Sequence, residues 1–308
     1  MSEYLKIYEV GVRDGLQNEN QLVKTAEKLR LVKGLVAAGL QHIELTSFVH
    51  PKAVPQMADA NELMATAVSQ YPEQDFIGLV FNQRGYDRAI AAGCTSMAFG
   101  VAISDTFSQS NTRMSSQRAY EITRELMLQA KRDGIWTRIY VMTAWVCPFE
   151  GAINPYKTIA MTEKLYELGA NEIAIADTIG HAHPLQVGRL MEDLGRRTDM
   201  SKLAVHLHDT QALGLANATA ALQAGVRIVD SSVGGLGGCP FAPGAAGNLA
   251  TEDLVFAAYK MGFGTGVDFD ALWGVITDLE RMVGRSAGGR IKAWWEAQCS
   301  ITPPVEFS

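Results

Sequence analysis

The sequence contains few cysteines, no long apolar run and no concentration of basic residues, and each absence excludes a class of protein. The four cysteines form no CxxC pair, so their spacing predicts neither a zinc site nor a disulfide framework and is typical of a reducing cytoplasm. No apolar run approaches the roughly 20 residues of a membrane span, and residues 1–6 contain no apolar segment of a secretory signal. The net charge is −6 and no basic patch is interleaved with aromatics. We therefore expect a cytoplasmic protein that binds neither nucleic acid nor membranes.

What the sequence does contain is an alternation of short apolar runs with longer segments of helical spacing. Such near-continuous apolar strands between helices are typical of a parallel sheet. The eight runs cover residues 5–10, 42–46, 76–81, 96–102, 137–143, 172–176, 203–208 and 228–233. Eight units fit a closed barrel better than an open doubly wound sheet. We predict an α/β fold, a (β/α)8 TIM barrel that occupies residues 1–308 as one domain, with extra C-terminal helices from about residue 265.

A weak internal repeat supports this count, because several helical segments end in a glycine just before a strand. Glycine readily takes the left-handed conformation that ends many helices. These glycines are Gly39, Gly93, Gly134, Gly169 and Gly225. In barrels of this kind the chemistry lies where the strands end, on the C-terminal face. We therefore expect the functional residues at the strand ends.

The end of the first strand places an arginine beside an aspartate, Arg13 and Asp14. One interpretation is a metal-binding carboxylate next to a cation that stabilises an oxyanion. The other is a structural ion pair in a loop. Position alone leaves both interpretations open.

The seventh strand ends in a His-x-His pair, His206 and His208. Side chains alternate between the faces of a strand, so these two imidazoles point to the same side. If that side is the barrel interior, they converge at its mouth and form a platform for a metal ion. The alternative is two histidines satisfied by ordinary hydrogen bonds, and the pairing at a strand end favours the metal.

The eighth strand runs into a glycine-rich segment, residues 234–248, with Cys239 near its centre. Six glycines in fifteen residues predict a mobile loop that closes over a site, where a cysteine could donate or accept a proton. A phosphate-binding loop or a plain flexible connection are the alternatives. No GxGxxG pattern follows the first strand, so a dinucleotide-binding fold is not indicated.

Two acidic residues lie in or at the end of apolar strands, Glu44 in the second and Asp177 in the sixth. A buried carboxylate is costly unless it is paired. A partner such as Arg13 or a bound ligand would remove that cost, and a structural pair with a neighbouring arginine or lysine is the alternative for either residue.

One arrangement connects these parts. Asp14, His206 and His208 supply one carboxylate and two imidazoles, with room for Asn248 and waters. This mixed, oxygen-rich ligation suits Mg²⁺ or Mn²⁺ better than a closed zinc site. A metal there would chelate a hydroxyl and a neighbouring carbonyl of a substrate, while Arg13 would stabilise an enolate.

The motifs as a set resemble those of hydroxymethylglutaryl-CoA lyases. The matching segments are 9–19 (EVGVRDGLQNE), 46–49 (TSFV), 51–52, 54–57, 147–151 (CPFEG), 177–180 (DTIG), 206–210 (HLHDT), 235–248 and 249–254 (LATEDL). The resemblance covers nearly the whole chain up to about residue 265, and the glycine-rich cysteine segment is its most specific part. The motifs of the first and seventh strands would also suit the wider barrel family that contains isopropylmalate and homocitrate synthases.

The resemblance implies a role for each candidate residue. It implies a divalent metal, Mg²⁺ or Mn²⁺, on Asp14, His206, His208 and Asn248. Catalytic roles fall on Arg13, which steadies the enolate of acetyl-CoA, on Cys239 in proton transfer, and on Glu44, Asp177 and His206. Arg13, Gln17 and Ser47 are expected to bind the substrate.

The reaction that the resemblance implies is the retro-Claisen cleavage of hydroxymethylglutaryl-CoA to acetyl-CoA and acetoacetate. The expected partner is the small acyl-CoA substrate, and the expected assembly is a homodimer or a higher homo-oligomer.

The sequence departs from the family pattern at positions that could touch the acyl group. The departures are Val12, Phe81, the run 142–146 that contains Trp145, Ala174, and the run 211–214 that begins with Gln211. They favour a related branched 3-hydroxyacyl-CoA, such as a citramalyl-CoA-like or longer substrate, as the alternative to hydroxymethylglutaryl-CoA. A condensing synthase is less favoured, because those enzymes usually carry an accessory domain. A non-catalytic binding barrel would require an incomplete site, and here the set of residues is complete.

Overall fold

The computed structural model describes residues 3–238 and 247–299. Its centre is a closed barrel of eight parallel strands in which each strand pairs with the next and β1 pairs with β8. The strands are β1 (Lys6–Glu9), β2 (His42–Ser47), β3 (Asp75–Leu79), β4 (Ser96–Ala102), β5 (Trp136–Met142), β6 (Glu172–Asp177), β7 (Leu203–Leu207) and β8 (Ile228–Ser231). Each overlaps one of the eight apolar runs, so the prediction of a (β/α)8 barrel is confirmed.

Helices surround the strands and cover their outer face. They are α1 (Thr25–Ala37), α2 (Ala60–Gln70), α3 (Gln83–Ala91), α4 (Asp105–Thr112), α5 (Ser116–Asp133), α6 (Pro155–Glu167), α7 (Pro184–Gly195), α8 (Gly214–Gln223), α9 (Thr251–Lys260), α10 (Phe269–Val283) and α11 (Lys292–Cys299). A short antiparallel hairpin pairs Val146–Cys147 with Gly151–Ala152 between β5 and α6. α10 and α11 lie beyond residue 265, whereas the extent of the domain over residues 1–308 stays a prediction.

The glycines expected to end helices do so by taking positive φ. The values are 88° at Gly39, 79° at Gly93, 70° at Gly134, 88° at Gly169 and 102° at Gly225. A residue with a Cβ is strained in this conformation, so the repeated glycine is a direct consequence of five helices turning back into strands. None of the helices in the described residues is both long and apolar enough to cross a membrane.

The main core lies between the strands and the helices. It is built from aliphatic side chains such as Val32 and Leu35 of α1 and Ile43 of β2, all of which are fully buried. The interior of the barrel is different. Bulky branched residues usually fill it, but here Arg138 of β5 lies there, fully buried between the carboxylates of Glu172 and Asp230.

Candidate metal centre and active site

The turn after β1 brings Arg13 and Asp14 to the C-terminal mouth of the barrel. Residues Gly11–Gly15 form one π-helical turn, in which the carbonyl oxygen of Val10 accepts the amides of Arg13 (3.2 Å) and Asp14 (2.7 Å). Short π-helical segments are rare and frequently lie at functional sites. Here the turn places a cation and an anion side by side where the strand ends.

Glu9 fixes this turn and links it to the segment that follows the neighbouring strand β8. Its Oε1 accepts the amides of Gly11 (2.7 Å) and Val233 (2.9 Å), and its Oε2 accepts the Thr251 hydroxyl (2.6 Å). A Cβ at Gly11 would lie 2.5 Å from Glu9 Oε1, so this contact requires glycine. Burial raises the pKa of Glu9 to about 7.

Arg13 is buried and faces two carboxylates. Its Nε and Nη2 lie 2.8 Å and 2.5 Å from Glu44 Oε2, and its Nη1 also bonds Asp14 Oδ1. Arg13 is therefore the cation that compensates the buried charge of Glu44. Glu44 Oε2 also accepts the Tyr140 hydroxyl (3.2 Å), whereas its Oε1 is buried without a hydrogen-bond partner in the described residues. Burial raises the pKa of Glu44, although Arg13 opposes that shift.

The two histidines of the seventh strand point to the same side, as the alternation of side chains predicts. His206 Nε2 lies 3.2 Å from His208 Nε2, and the two nitrogens lie 3.9 Å and 4.0 Å from Asp14 Oδ2. Both side chains are buried at the barrel mouth. Donor atoms of Asp14, His206 and His208 all lie within 4.8 Å of one another.

Asn248 lies beside this group because the chain returns to the barrel after β8. Its Nδ2 donates to Asp14 Oδ2 (2.9 Å) and to the carbonyl oxygen of Leu236 (3.1 Å). Its Oδ1 is buried without a hydrogen-bond partner in the described residues, as is Nδ1 of His208. A buried amide oxygen without a partner next to a carboxylate and two imidazoles fits a divalent cation, because such an oxygen is costly unless it is bound.

Electrostatics holds the donor groups in the forms that bind a cation. Burial acts to raise the pKa of Asp14, but Arg13 and the two imidazoles outweigh it and hold that pKa well below its usual range. Burial, together with His206, lowers the pKa of His208 to about 4. At neutral pH Asp14 is therefore ionised and His208 is neutral, as metal binding requires.

Behind His206 lies an acidic residue that the sequence analysis missed. Asp230 Oδ2 lies 3.0 Å from His206 Nδ1, and both oxygens of Asp230 bond the Arg138 guanidinium (2.5 and 2.9 Å). Burial acts to raise the pKa of Asp230, but Arg138 outweighs it and the pKa is lowered. A charge inside an apolar strand, the signal that marks Glu44, is also present at Asp230 in 228–233.

The Asp177 carboxylate is bound by backbone amides. The sequence had suggested an arginine or lysine as the alternative partner. Its Oδ1 accepts the amide of His181 (3.0 Å) and its Oδ2 accepts that of Ala182 (3.1 Å). The chain after β6 turns back at Gly180, where φ is 67°, and so supplies these two donors. Burial raises the pKa of Asp177 to about 6, against the effect of the two hydrogen bonds.

A cavity of about 340 Å³ opens at the mouth of the barrel, and most of the predicted site residues line it. Its charged and polar lining includes Arg13, Asp14, Gln17, Ser47, His206 and His208. Its apolar lining includes Leu79, Phe81, Phe107, Met114, Met142 and Ala176. Among the described residues, Arg13 is the one arginine or lysine in the lining, and two carboxylates already face it.

The departures from the family pattern are not all in this cavity. Phe81 lines it, whereas Trp145 is buried against α7 through a 3.4 Å hydrogen bond to the Gln186 carbonyl oxygen. Ala174 belongs to the small apolar cluster inside the barrel, and Gln211 is exposed. Met142, the first residue of the departing run 142–146, also lines the cavity, so contact with an acyl group stays a prediction for Phe81 and Met142.

Cys239 lies outside the described residues. The residue before it, Gly238, lines the cavity, and its carbonyl oxygen accepts the Asn18 side chain (2.7 Å). The glycine-rich segment therefore reaches the cavity at Gly238.

Comparison with known proteins identifies the family. The HMGL-like family model matches residues 4–279. The chain belongs to the HMGL-like family. Among the curated family members, a hydroxymethylglutaryl-CoA lyase of Pseudomonas mevalonii is 40% identical over 289 residues, which cover 93% of this chain and 95% of that protein.

Solved structures of the family superpose on the whole barrel. A hydroxymethylglutaryl-CoA lyase from Pseudomonas aeruginosa matches with a TM-score of 0.92 and 36% identity, over 97% of this chain and 99% of that one. An HMG-CoA lyase from Acinetobacter baumannii, in complex with coenzyme A and 3-methylmalate, matches with a TM-score of 0.91 and 34% identity, over 98% of each chain. The expected family is therefore confirmed.

Proposed function

We propose that the protein is a carbon–carbon lyase that cleaves hydroxymethylglutaryl-CoA to acetyl-CoA and acetoacetate with a divalent metal ion. The observation that carries the proposal is the convergence of Asp14, His206 and His208 next to Arg13 in one cavity. Family membership supports the same reaction, since relatives that match over almost their full length are named for it.

Asp14, His206, His208 and Asn248 would hold the cation. A bound Mg²⁺ or Mn²⁺ would act as a Lewis acid that lowers the pKa of the substrate hydroxyl and stabilises the charge that develops on it. The mixture of carboxylate, imidazole and amide oxygen suits these ions better than a closed zinc site does.

The cleavage itself transfers one electron pair. The hydroxyl on C3 of the substrate passes its proton to a base, a role that we assign to the Asp177 carboxylate, and becomes the ketone of acetoacetate, while the bond between C2 and C3 breaks. The electron pair of that bond passes to C2 and forms the enolate of acetyl-CoA. Arg13, fixed by Glu44 (2.8 Å), would stabilise that enolate oxygen.

The enolate must then take up a proton at C2 to become acetyl-CoA. We assign that step to Cys239, which follows the cavity-lining residue Gly238 in the chain. Asp177, with a pKa raised by burial to about 6, is an acid–base group suited to neutral pH. Gln17 and Ser47 line the cavity and would contact the substrate.

A product assay tests this proposal. Purified protein with Mg²⁺ should convert hydroxymethylglutaryl-CoA into equimolar acetyl-CoA and acetoacetate, both quantified by chromatography. The matched control is Asp14→Asn, which keeps the shape of the side chain but removes its charge and should lose most turnover. No product with any 3-hydroxyacyl-CoA thioester would refute the lyase assignment.

A second candidate substrate is a branched 3-hydroxyacyl-CoA with a larger apolar group, such as a citramalyl-CoA-like or longer thioester. Phe81 and Met142 give the cavity an apolar wall, and Arg13, the one arginine of its lining in the described part of the chain, is already paired. Each methylene in an apolar pocket changes discrimination by about 1–3 kcal/mol, or roughly 10–200-fold. We expect measurable cleavage of hydroxymethylglutaryl-CoA, and kcat/KM across a thioester panel decides between the substrates. A clear preference for hydroxymethylglutaryl-CoA would show that the departures from the family pattern do not change the substrate preference.

The cellular setting is proposed on two grounds, the cysteine spacing for the location and the family resemblance for the pathway and the assembly. We place the enzyme in the cytoplasm, in leucine degradation, and as a homodimer or a higher homo-oligomer. Light scattering coupled to gel filtration measures the assembly, and a monomer across the micromolar range would contradict it.

A further inference from the structure

We infer that Asp230 and Arg138 are positioning residues that fix the ring and tautomer of His206 for the cation. The inference rests on the metal site of the proposed function and extends it into the barrel interior. Neither residue lines the cavity. Asp230 reaches the site through His206, and Arg138 also contacts it through the Tyr140 hydroxyl (2.8 Å).

The geometry is a buried chain of three groups from three strands. Arg138 of β5 bonds both oxygens of Asp230 of β8, and Asp230 Oδ2 lies 3.0 Å from Nδ1 of His206 of β7. Arg138 is 0% exposed and Asp230 is 1% exposed, so water does not compete for these contacts. Arg138 is itself fixed by Tyr8, whose ring lies 4.1 Å from the guanidinium carbon.

An ionised carboxylate accepts hydrogen bonds and donates none. Asp230 therefore requires the proton of neutral His206 to be on Nδ1, which leaves the lone pair of Nε2 free. That nitrogen is the one that faces His208 (3.2 Å) and Asp14 (3.9 Å). The carboxylate thus selects the tautomer that can bind a metal, and such partners also orient the ring.

Arg138 supplies what Asp230 needs to act in this way. Two bonds to one guanidinium prevent the carboxylate from rotating and compensate its buried charge. His208 has no equivalent support, since its Nδ1 is buried without a partner in the described residues. The two imidazoles therefore differ, because the ring of His206 is already oriented by Asp230 before a cation binds.

Glu172 offers a matched control for Asp230. It also bonds Arg138, at 2.6 Å from Nε, and it is also buried. Among the described residues its side chain bonds Arg138 and Lys6 and does not bond His206. Asp230→Asn and Glu172→Gln each remove one negative charge beside the same guanidinium. A purely structural role would make the two variants alike.

The experiment measures Mn²⁺ affinity of the wild type and both variants by electron paramagnetic resonance of the free ion, with thermal unfolding recorded in parallel. We expect the Kd for Mn²⁺ to rise about 10–100-fold in Asp230→Asn, the usual effect of losing such a partner, and to stay within about threefold in Glu172→Gln. Equal affinities in the two variants would overturn the inference while leaving the metal site intact. A wild type that binds no Mn²⁺ would instead overturn the metal site itself.

A measurement on the unmodified protein covers the case in which Asp230→Asn does not fold. Nitrogen-15 spectra of histidine-labelled, metal-free wild type report which ring nitrogen of His206 carries the proton, and a His206→Gln spectrum assigns the signal. Protonated Nδ1 with bare Nε2 supports the inference. Protonated Nε2 with bare Nδ1 overturns it.

Discussion

The contacts of Arg13 allow its structural and catalytic roles to be separated in one set of variants. Arg13→Gln leaves the carboxylates of Glu44 and Asp14 buried without their cation. Breaking a buried ion pair from one side costs about 3–5 kcal/mol. At roughly 2 °C per kcal/mol for a chain of this size, Tm should fall by about 6–10 °C. Loss of the group that faces the enolate should also lower turnover by about 10²–10³.

The double variant Arg13→Gln/Glu44→Gln separates the two effects. It removes the cation together with its closest carboxylate, so no new charge is left buried at Glu44 and most of the lost stability should return. Turnover should stay low, because nothing replaces the guanidinium in the cavity. Calorimetric Tm and steady-state kcat with saturating Mg²⁺ measure the two quantities. A double variant that recovers both would reduce Arg13 to a structural ion-pair residue and refute the catalytic role.

Three further predictions concern the metal, pH and the cysteine. A chelator should abolish activity and Mg²⁺ or Mn²⁺ should restore it, and His208→Ala should weaken Mn²⁺ binding; full activity of metal-free protein would contradict the metal site. In metal-free protein, the folded pKa of His208 lies at about 4 and the unfolded value near 6.5, so the unfolded state binds the extra proton and stability should fall as the pH drops from about 6.5 to about 4. His208→Asn should remove that part of the slope in urea titrations, and an unchanged slope would show that His208 is not the group. Cys239→Ser should lose most turnover yet bind Mn²⁺ normally, because a hydroxyl is a far weaker acid than a thiol. Alkylation should inactivate the wild type and substrate should slow it, whereas loss of alkylation sensitivity in a variant of buried Cys147 would refute the assignment.

The sequence predicted the fold well because its signals are local. Apolar runs and the terminal glycines are properties of neighbouring residues, and both agree with the structure, down to the positive φ at Gly39 and Gly225. The placement of the two imidazoles of the His-x-His pair was predictable for the same reason, since the alternation of side chains along one strand is enough to bring them together.

The residues that were missed depend on contacts between distant strands. Arg138 and Asp230 are 92 positions apart and meet only because β5 and β8 enclose the same interior. Strands buried on both faces give no alternation from which to read the inward side. The support of Asp177 escaped prediction because it depends on the path of a loop, which turns back at Gly180 and offers the amides of His181 and Ala182.

The closure of the barrel between β1 and β8 has a consequence for the order of events during synthesis. Asp14 and Asn248, which bond each other, are 234 positions apart. His206 can bond the Asp230 carboxylate only after residue 230 has been made. Domains form as the chain emerges from the ribosome, at roughly 5–20 residues per second. About four-fifths of the chain must therefore be made before the donor set is complete, a wait of roughly 10–50 s at that rate. The nascent chain cannot capture a cation at this site before its last strand joins the first.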